Sequence, residues 1–543
     1  MAIGIVETKF GKVSGLECME PKYAGITRFK GVRYGGDMGG ENRWKPPVDP
    51  TPWEGVMVCD GSAVQRAMQP DLGALQDEPY KSDFYFVPDP PIGEDCLFLD
   101  ITTGAQEPGE KRPVFMWFHG GGLGGGHAFE VEFDGRELAR KGIVVVSVAQ
   151  RLNVFGYLAL PQLSKEQGGT SGNYGLMDEV KALDWVYENI AAFGGDPENI
   201  TVGGQSGGTA KSGALAGSPM QKGRVKRVIN QSDLNWMGLP YNTMEQAEEL
   251  GKKFLMSKDI DPDLPAEELR KLPSEVFYGK NLGPMDMAIG AMVADGKYIK
   301  HREGWRNIDE FAAHCDYISG SNYGESSMRP GFSLGGVAPV TEEEYYRLAK
   351  EQLGDLYEKY DFEKNFPVDG KDPDKLSRYY ASLGLKSWAG LTVNRYFGAY
   401  RKEHGMTGKT YSFLFSRVPP CHPEEKGTKR DSDMLLAWHS SELWYTFASL
   451  RRSEDGQSNT PPARPWTEWD EKLADIMSTY WSNFMKTGDP NGEGLPVWPQ
   501  SDENYGWIEL GDEITPHTGR DSLLDQMLFE HMEKREPVPG LPF

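Results

Sequence analysis

Thiol and imidazole side chains are scarce in this chain. Its 543 residues include only 5 cysteines and 9 histidines, and no C-x-x-C or H-E-x-x-H motif occurs. The segment His439-Ser-Ser-Glu442 has too few ligands to hold a metal ion by itself. An odd, scattered set of cysteines is typical of free thiols in a reducing cytoplasm rather than of a disulfide scaffold. The sequence therefore predicts no metal site and no cofactor site.

Positive charge and long apolar runs are also in short supply. Lys and Arg total 58 against 81 Asp and Glu, which gives a net charge of −23. A surface this acidic repels phosphate backbones, so nucleic acid is not an expected partner. The longest apolar runs, such as residues 143–148, are too short to span a bilayer. The first residues also lack the basic and apolar parts of a signal peptide, so we expect a cytoplasmic protein without membrane association.

The chain alternates strand-like and helix-like segments up to about residue 235. Apolar runs predict buried strands at 113–118, 142–148 and 224–230, and helical spacing predicts helices at 173–193 and 473–485. This alternation favours a mostly parallel sheet with helices on both faces. Residues from about 236 to 430 are more helical and more charged. A capping motif at Thr341 begins a helix there, and we expect its apolar stripe, 345–360, to pack in the core. One domain, 1–543, with a helical cap-like region is the simplest organisation.

The most informative motif surrounds Ser206. The sequence Gly-Gly-Gln-Ser-Gly-Gly at 203–208 matches G-x-S-x-G, with Gly204, Ser206 and Gly208 at the fixed positions. An apolar β-like stretch precedes it and a run of small, helix-compatible residues comes after it. Such a strand-to-helix turn lifts a serine hydroxyl out of a sheet and aims it at a substrate carbonyl. We therefore interpret Ser206 as a nucleophile.

A second motif comes directly after the predicted strand at 113–118. The sequence His-Gly-Gly-Gly at 119–122 stands upstream of the serine motif, as in hydrolases that share their oxyanion hole between these two segments. Acyl transfer passes through a tetrahedral oxyanion, which fixed N–H donors stabilise. We predict that the backbone N–H groups of Gly121, Gly122 and Gly207 form this oxyanion hole.

The same glycine-rich stretch has a competing interpretation. Gly120, Gly122 and Gly125 match G-x-G-x-x-G after a strand, which is the pattern of a dinucleotide site. Residues 126–129 do not resemble a helix start, however, and no strand ending in a ribose-binding acid lies at the right distance. A P-loop ending at Gly408-Lys409-Thr410 fails because position 403 is Glu.

The base and the acid are harder to identify. Hydrolases with this serine motif carry their residues in the order serine, acid, histidine. Order excludes His119 and His127, and spacing cannot choose among the seven histidines that remain: His301, His314, His404, His422, His439, His517 and His531.

Further motifs resemble the type-B carboxylesterases, the group of cholinesterases and related lipases. The matching segments run nearly end to end, at 29–34, 43–47, 94–100, 151–157, 173–178, 193–197, 481–484 and 498–499. The resemblance implies an α/β-hydrolase fold. It also implies that Glu325 is the acid and His439 the base, with His422 as the fallback base. In such a triad histidine takes the serine proton while the carboxylate orients the imidazole ring.

The resemblance implies supporting residues as well. Arg43 with Glu94, and Arg151 with Asp178, resemble structural ion pairs of the family. Ser232 resembles a serine that hydrogen-bonds near the catalytic acid, and Trp236 is a candidate pocket residue. Residues 68–93 correspond to a loop that lines the family's active-site gorge.

The chain departs from the family at several positions. Gln205 replaces the glutamate of cholinesterases before the serine, and Gly207 stands where alanine is common. Asp233 replaces a glycine and could alter nearby pKa values or bind a substrate donor. Cys96 lacks its usual disulfide partner, and the offset of Cys59 makes a substitute bond doubtful.

These observations predict a serine carboxylesterase that acts on small to medium esters without metal or cofactor. A lipase is one alternative, but the acidic residues of the loop at 68–93 do not suit a large apolar lid. A non-catalytic binding protein of the same family is another, but it would have no need to keep all three triad residue types. The natural ester and the oligomeric state stay open, because fold-level analogy does not determine them.

Overall fold

One large, mostly parallel sheet forms the centre of the protein. The computed structural model describes residues 2–69, 90–232, 240–278, 289–325, 327, 341–368, 387–450 and 464–534. Eleven of the described strands pair in the order β16-β15-β14-β13-β12-β11-β9-β10-β8-β4-β3. The strands are β1 Ile5–Thr8, β2 Gly11–Ser14, β3 Leu16–Glu17, β4 Thr27–Arg33, β5 Val56–Val58, β6 Arg66–Ala67, β7 Ile92–Gly93, β8 Phe98–Thr103, β9 Arg112–Phe118, β10 Val144–Val148, β11 Gly195–Gln205, β12 Val225–Gln231, β13 Asp316–Asn322, β14 Thr410–Phe415, β15 Trp507–Leu510 and β16 Ile514–His517.

Strands β10, β9, β11, β12, β13, β14 and β15 run parallel, and antiparallel strands complete the sheet on either side. The predicted strands at 113–118, 142–148 and 224–230 are confirmed as β9, β10 and β12. Side chains of β9 alternate between two apolar clusters: Met116 and Phe118 belong to one, and Phe115 and Trp117 to the other. Both faces of the sheet are therefore buried, as parallel strands require.

The helices pack on these two faces or lie in the segments between the strands. They are α1 Arg136–Arg140, α2 Asn153–Tyr157, α3 Pro161–Glu166, α4 Tyr174–Asn189, α5 Gly207–Ala216, α6 Met244–Ser257, α7 Ala266–Lys271, α8 Gly304–Phe311, α9 Glu342–Leu353, α10 Asp355–Lys359, α11 Phe362–Asn365, α12 Ser387–Glu403, α13 Ser432–Leu435, α14 Leu443–Thr446, α15 Glu468–Thr487 and α16 Leu523–Lys534. The predicted helices at 173–193 and 473–485 are confirmed as α4, extended by a 3₁₀ turn, and α15.

The helix predicted to start at Thr341 is present but shorter than its apolar stripe. Thr341 Oγ1 accepts a hydrogen bond from the Glu344 N–H, which caps α9. The helix ends at Leu353 because Gly354 adopts a φ of +58°, and α10 begins directly after it. Tyr345, Leu353 and Leu356 still share one buried cluster, so the prediction of core packing is confirmed.

The cysteines form no disulfide. All five are free thiols, so the substitute bond between Cys59 and Cys96 is not formed. Among the helices of the described residues, none has the length and apolarity needed to cross a membrane.

Both expected ion pairs are formed and buried. Arg151 Nη2 lies 2.7 Å from Asp178 Oδ1, and both side chains are almost completely excluded from solvent. Arg43 contacts Glu94 through two hydrogen bonds of 2.5 and 2.7 Å. The Arg151 pair joins the loop after β10 to helix α4, so it supports the packing of that helix.

We predict that Arg151→Met lowers the free energy of unfolding by about 3–5 kcal/mol, because it leaves Asp178 as an uncompensated buried charge. Urea denaturation measures this change. The matched control is Lys9→Met, which breaks an exposed pair with Glu188 and should lower the free energy of unfolding far less, because solvent screens an exposed pair. Equal losses in the two variants would contradict the structural role of the Arg151 pair.

Candidate active site

Four neighbouring parallel strands bring the predicted site residues to one edge of the sheet. His119 comes directly after β9, Ser206 after β11 and Ser232 after β12, and Glu325 lies three residues after β13. These strands are adjacent, in the order β9, β11, β12, β13. Because the carboxyl ends of parallel strands meet at one edge, residues distant in sequence converge there.

Ser206 occupies a strained turn between β11 and α5. Its φ of 57° and ψ of −122° are unfavourable for a residue with a Cβ. The Ser206 N–H donates to the Gln231 carbonyl at 2.9 Å, and the Ser206 carbonyl accepts from the N–H and the hydroxyl of Thr209 at 2.9 and 2.6 Å. Backbone contacts to β12 and α5 therefore hold this conformation, and the side chain stays partly accessible.

The flanking glycines are required by close backbone approach. A Cβ at Gly204 would lie 2.4 Å from the backbone of Gly208, and a Cβ at Gly208 would lie 2.1 Å from the Phe118 carbonyl oxygen. Neither site has room for a larger residue. The spacing of the G-x-S-x-G motif is thus explained by the packing of the turn against the end of β9.

Glu325 and His439 lie in direct contact. The Gly324 N–H donates to the Ala437 carbonyl at 2.8 Å, and this bridge brings the two loops together. His439 Nδ1 lies 2.5 Å from Glu325 Oε2, and the Glu325 side chain is fully buried. Glu325 Oε1 accepts from the Asn322 N–H at 2.8 Å. The carboxylate is thereby fixed and orients the imidazole ring.

The residue before Ser206 also contacts the histidine. Gln205 Nε2 lies 3.3 Å from His439 Nε2, the ring nitrogen opposite the one that faces Glu325. The Gln205 side chain is buried, and as an amide it brings no charge to the ring. The fallback base His422 is elsewhere: it precedes the 3₁₀ turn Pro423–Glu425, and its N–H donates to Glu425.

The loop after β9 packs against the start of α5. Gly121 and Gly122 have φ values of +82° and +63°, which favour glycine. A Cβ at Gly207 would lie 2.0 Å from the Gly122 carbonyl oxygen, so the two segments touch. The N–H groups of Gly121, Gly122 and Gly207 donate no hydrogen bond to another described residue. Three candidate donors are thus available beside Ser206.

This loop does not have the form of a dinucleotide site. The N–H groups of Gly124 and Gly125 both donate to the Gly121 carbonyl, which closes a turn. The next helix, α1, begins only at Arg136. Gln69 fixes the far end of the turn: its amide donates to the Gly126 carbonyl and accepts from the Gly126 N–H, both at 2.9 Å. No sequence motif marks Gln69 for this contact, so the sequence alone did not predict it.

A second buried carboxyl lies beside Glu325. Glu442 is fully buried; its Oε2 accepts from Asn322 Nδ2 at 2.5 Å and its Oε1 from Gln231 Nε2 at 3.3 Å. Burial, and then the charge of Glu325, raise the pKa of Glu442 to about 7. From the sequence, Glu442 was considered only as a metal ligand. Its position three residues after His439 is the signal that could have placed it near the site.

The remaining predicted residues are not all brought to the site. The Ser232 N–H donates to the Gly320 carbonyl at 2.8 Å, and its buried hydroxyl bonds to no described residue. Asp233 and Trp236 lie outside the described residues, as do residues 70–89 of the predicted gorge loop. Within the described ranges, no cluster of three or more His, Cys, Asp or Glu side chains could hold a metal ion.

Comparisons with known proteins identify the family of this chain. The model of the carboxylesterase family matches residues 3–526. The fumonisin B1 esterase of Sphingopyxis macrogoltabida is 29% identical over 517 residues, which cover 93% of this chain and 86% of that protein. The para-nitrobenzyl esterase of Bacillus subtilis is 27% identical over 540 residues, with 97% and 98% covered.

The fold comparison leads to the same group. A solved structure of a PNB esterase aligns with a TM-score of 0.72 and 26% identity, covering 97% of this chain and 100% of that one. The family match covers nearly the whole chain. The mostly parallel sheet and the strand-to-helix turn at Ser206 are consistent with this family. This chain belongs to the carboxylesterase family, has the α/β-hydrolase fold, and is a serine carboxylic ester hydrolase.

Proposed function

We propose that Ser206, His439 and Glu325 form the catalytic triad of this esterase. The observation that carries the proposal is the fixed contact between Glu325 and His439 Nδ1, at the sheet edge where Ser206 occupies its strained turn. A carboxylate in this position selects the tautomer in which Nε2 carries no proton and can accept one. Ser206 then attacks the ester carbonyl carbon while His439 Nε2 takes the hydroxyl proton.

The first half of the reaction forms an acyl-enzyme. Attack converts the carbonyl oxygen into an oxyanion, which the N–H groups of Gly121, Gly122 and Gly207 stabilise. The tetrahedral intermediate collapses, the bond to the leaving oxygen breaks, and His439 returns its proton to the departing alcohol. The acyl group remains on Ser206 Oγ.

The second half releases the acid. A water molecule gives a proton to His439 and attacks the acyl carbon, a second oxyanion forms in the same hole, and the proton returns to Ser206 as the carboxylic acid leaves. No step of this cycle needs a metal or a cofactor, because side chains and backbone groups supply every proton transfer and every donor. We propose small to medium carboxylic esters as substrates, as the names of the two esterase relatives support.

Gln205 and Glu442 set the electrostatic surroundings of the triad in this proposal. Gln205 places an uncharged amide against the outer ring nitrogen of His439, where a carboxylate would favour the imidazolium. Glu442 shares Asn322 with Glu325, since Asn322 donates its N–H to Glu325 and its side-chain amide to Glu442. Protonated Glu442 holds this arrangement without placing a second charge beside Glu325.

Replacement of the nucleophile tests the proposal. We expect Ser206→Ala to lower kcat for p-nitrophenyl esters by roughly 10⁴-fold or more, because the acyl-enzyme can no longer form. The assay uses a series from acetate to decanoate, and the chain length with the highest kcat/KM measures the acyl pocket. Wild-type protein that is inactive on every ester, or Ser206→Ala with full activity, would refute the proposal.

Gly207 allows a test of the oxyanion hole. We expect Gly207→Ala to reduce kcat by roughly tenfold or more, because its methyl group would displace the Gly122 carbonyl and the donors beside it. Gly213→Ala in the same helix is the matched control, since a Cβ there has no neighbour within 4 Å. Unchanged kcat in Gly207→Ala would argue against this assignment of the donors.

Glu442 makes stability depend on pH. Its folded-state pKa of about 7 lies above the ordinary value of 4.5, so protonation favours the folded state below about pH 4.5 and this benefit is lost as pH rises to 7. We expect wild type to lose up to roughly 3 kcal/mol relative to Glu442→Gln between pH 5 and pH 8. Urea unfolding at both pH values measures the difference, with Glu493→Gln at an exposed position as control. A difference independent of pH would rule out the buried proton.

A further inference from the structure

A buried lysine lies directly beneath the proposed oxyanion hole. Lys211 belongs to α5, one turn after Ser206, and its side chain is completely buried. Its Nζ donates to the carbonyl oxygen of His119 at 2.8 Å. His119 is the residue between β9 and the three glycines of the loop. One side chain of the helix after the nucleophile therefore holds the base of the loop that carries Gly121 and Gly122.

A second contact fixes the same residue from the side. With the Gln150 amide in the orientation that its neighbours favour, its oxygen accepts from Lys211 Nζ at 3.2 Å and from His119 Nε2 at 2.9 Å, and its nitrogen donates to the Val148 carbonyl. Lys211 and Gln150 thus hold both the carbonyl and the ring of His119. The burial of His119 lowers its pKa well below the usual range, so its ring is neutral and does not compete with the ammonium charge.

A buried ammonium at this position destabilises the folded state unless another group compensates its charge. Glu179 of α4 is also completely buried, and neither of its carboxylate oxygens accepts a hydrogen bond from a described residue. Burial lowers the pKa of Lys211, and the charges of Glu179 and then Glu130 raise it. Burial likewise raises the pKa of Glu179, and the charge of Lys211 lowers it. Burial therefore shifts the pKa of each group towards its neutral form, and the charge of the other group opposes that shift.

Packing alone does not explain why a lysine occupies this buried position. An apolar side chain would fill the same volume without the desolvation penalty of a buried ammonium. What only a cation or a strong donor supplies is a charge-assisted hydrogen bond to the His119 carbonyl. A carbonyl held in this way fixes the peptide planes after it, and an oxyanion hole depends on the fixed direction of its N–H groups.

We propose that Lys211 is a positioning residue of the oxyanion hole, because its Nζ holds the His119 carbonyl. The inference rests on the proposed function, because it assigns Lys211 an effect on the donors that this function uses. Lys211 does not touch the substrate. It acts through His119 on Gly121 and Gly122.

The experiment compares wild type with Lys211→Met, the double variant Lys211→Met/Glu179→Gln, and Lys30→Met. The double variant keeps the shape of both side chains and leaves no unbalanced buried charge, so it gives a result even if the single variant does not fold. Lys30 is the matched control, since it is a part-buried lysine of β4 whose pKa burial also lowers. The assay measures kcat and KM with the preferred p-nitrophenyl ester.

Two inhibitors distinguish a misplaced oxyanion hole from general damage to the active site. A trifluoromethyl ketone adds the Ser206 oxygen to its carbonyl carbon, the serine proton passes to His439, and the ketone oxygen becomes an oxyanion in the hole. The matching methyl ketone binds without forming this adduct. We expect Lys211→Met and the double variant to lose about tenfold or more in kcat and a similar factor in trifluoromethyl ketone inhibition. KM and methyl ketone inhibition should stay within about twofold.

The pH profile adds a readout that a purely structural lysine would not move. The negative charge of Glu179 raises the pKa of Lys211, so in Glu179→Gln the ammonium is deprotonated at lower pH. We therefore expect the alkaline fall of kcat to begin at lower pH than in wild type, with Glu130 and His119 unchanged as the other charged or titratable neighbours.

Two results would overturn the proposal for Lys211. One is wild-type kcat and wild-type trifluoromethyl ketone inhibition in the double variant. The other is a rise in KM together with weaker methyl ketone inhibition and lower thermal stability, because these changes would indicate a structural role. If wild type itself neither hydrolyses esters nor reacts with the trifluoromethyl ketone, the proposed function fails and this inference fails with it.

Discussion

The close backbone contact between the serine turn and the end of β9 is the constraint on which the site depends. Gly208 approaches the Phe118 carbonyl so closely that no Cβ fits between them, and Gly207 approaches Gly122 in the same way. Without these contacts the loop of 119–122 and the start of α5 would lie at least one side-chain thickness apart. Ser206 and Gly207 follow β11 whereas Gly121 and Gly122 follow β9, so only this packing brings the two segments to a common position.

Around this contact the protein buries an unusual number of ionisable groups. Glu325 contacts His439 Nδ1, while Glu442 shares Asn322 with Glu325 and has its pKa raised by burial and by the charge of Glu325. On the other side of the serine turn, Lys211 and Glu179 are also fully buried, and burial shifts the pKa of each towards its neutral form. Buried ionisable groups are tolerated where a partner or a proton compensates their charge.

The departures from the family pattern have local structural consequences. Gln205 contacts the outer nitrogen of His439 without adding a charge. Gly207 leaves room for the Gly122 carbonyl, which an alanine would displace. Gln69 occupies the region where a disulfide cysteine is expected and holds Gly126 through two hydrogen bonds. The arrangement of the sheet edge therefore follows the family, while these residues give the proposed oxyanion loop of this chain contacts that differ from the family pattern.

The sequence by itself determined the elements and the serine turn. Periodicity predicted β9, β10, β12, α4 and α15, because buried strands and amphipathic helices impose local patterns, and G-x-S-x-G is a local motif with a local geometric cause. Spacing could not choose His439 among seven histidines; the family resemblance did, since the choice depends on a bridge between Gly324 and Ala437 across more than a hundred residues.

Only the tertiary structure revealed the buried charges. Lys211 and Glu179 lie on different helices, and nothing in either local sequence indicates that both side chains would be buried or that Lys211 would contact His119. It likewise showed that Gly354 divides the predicted helix. Burial and long-range electrostatics are properties of the assembled chain, and a sequence pattern records them only where local spacing happens to reflect them.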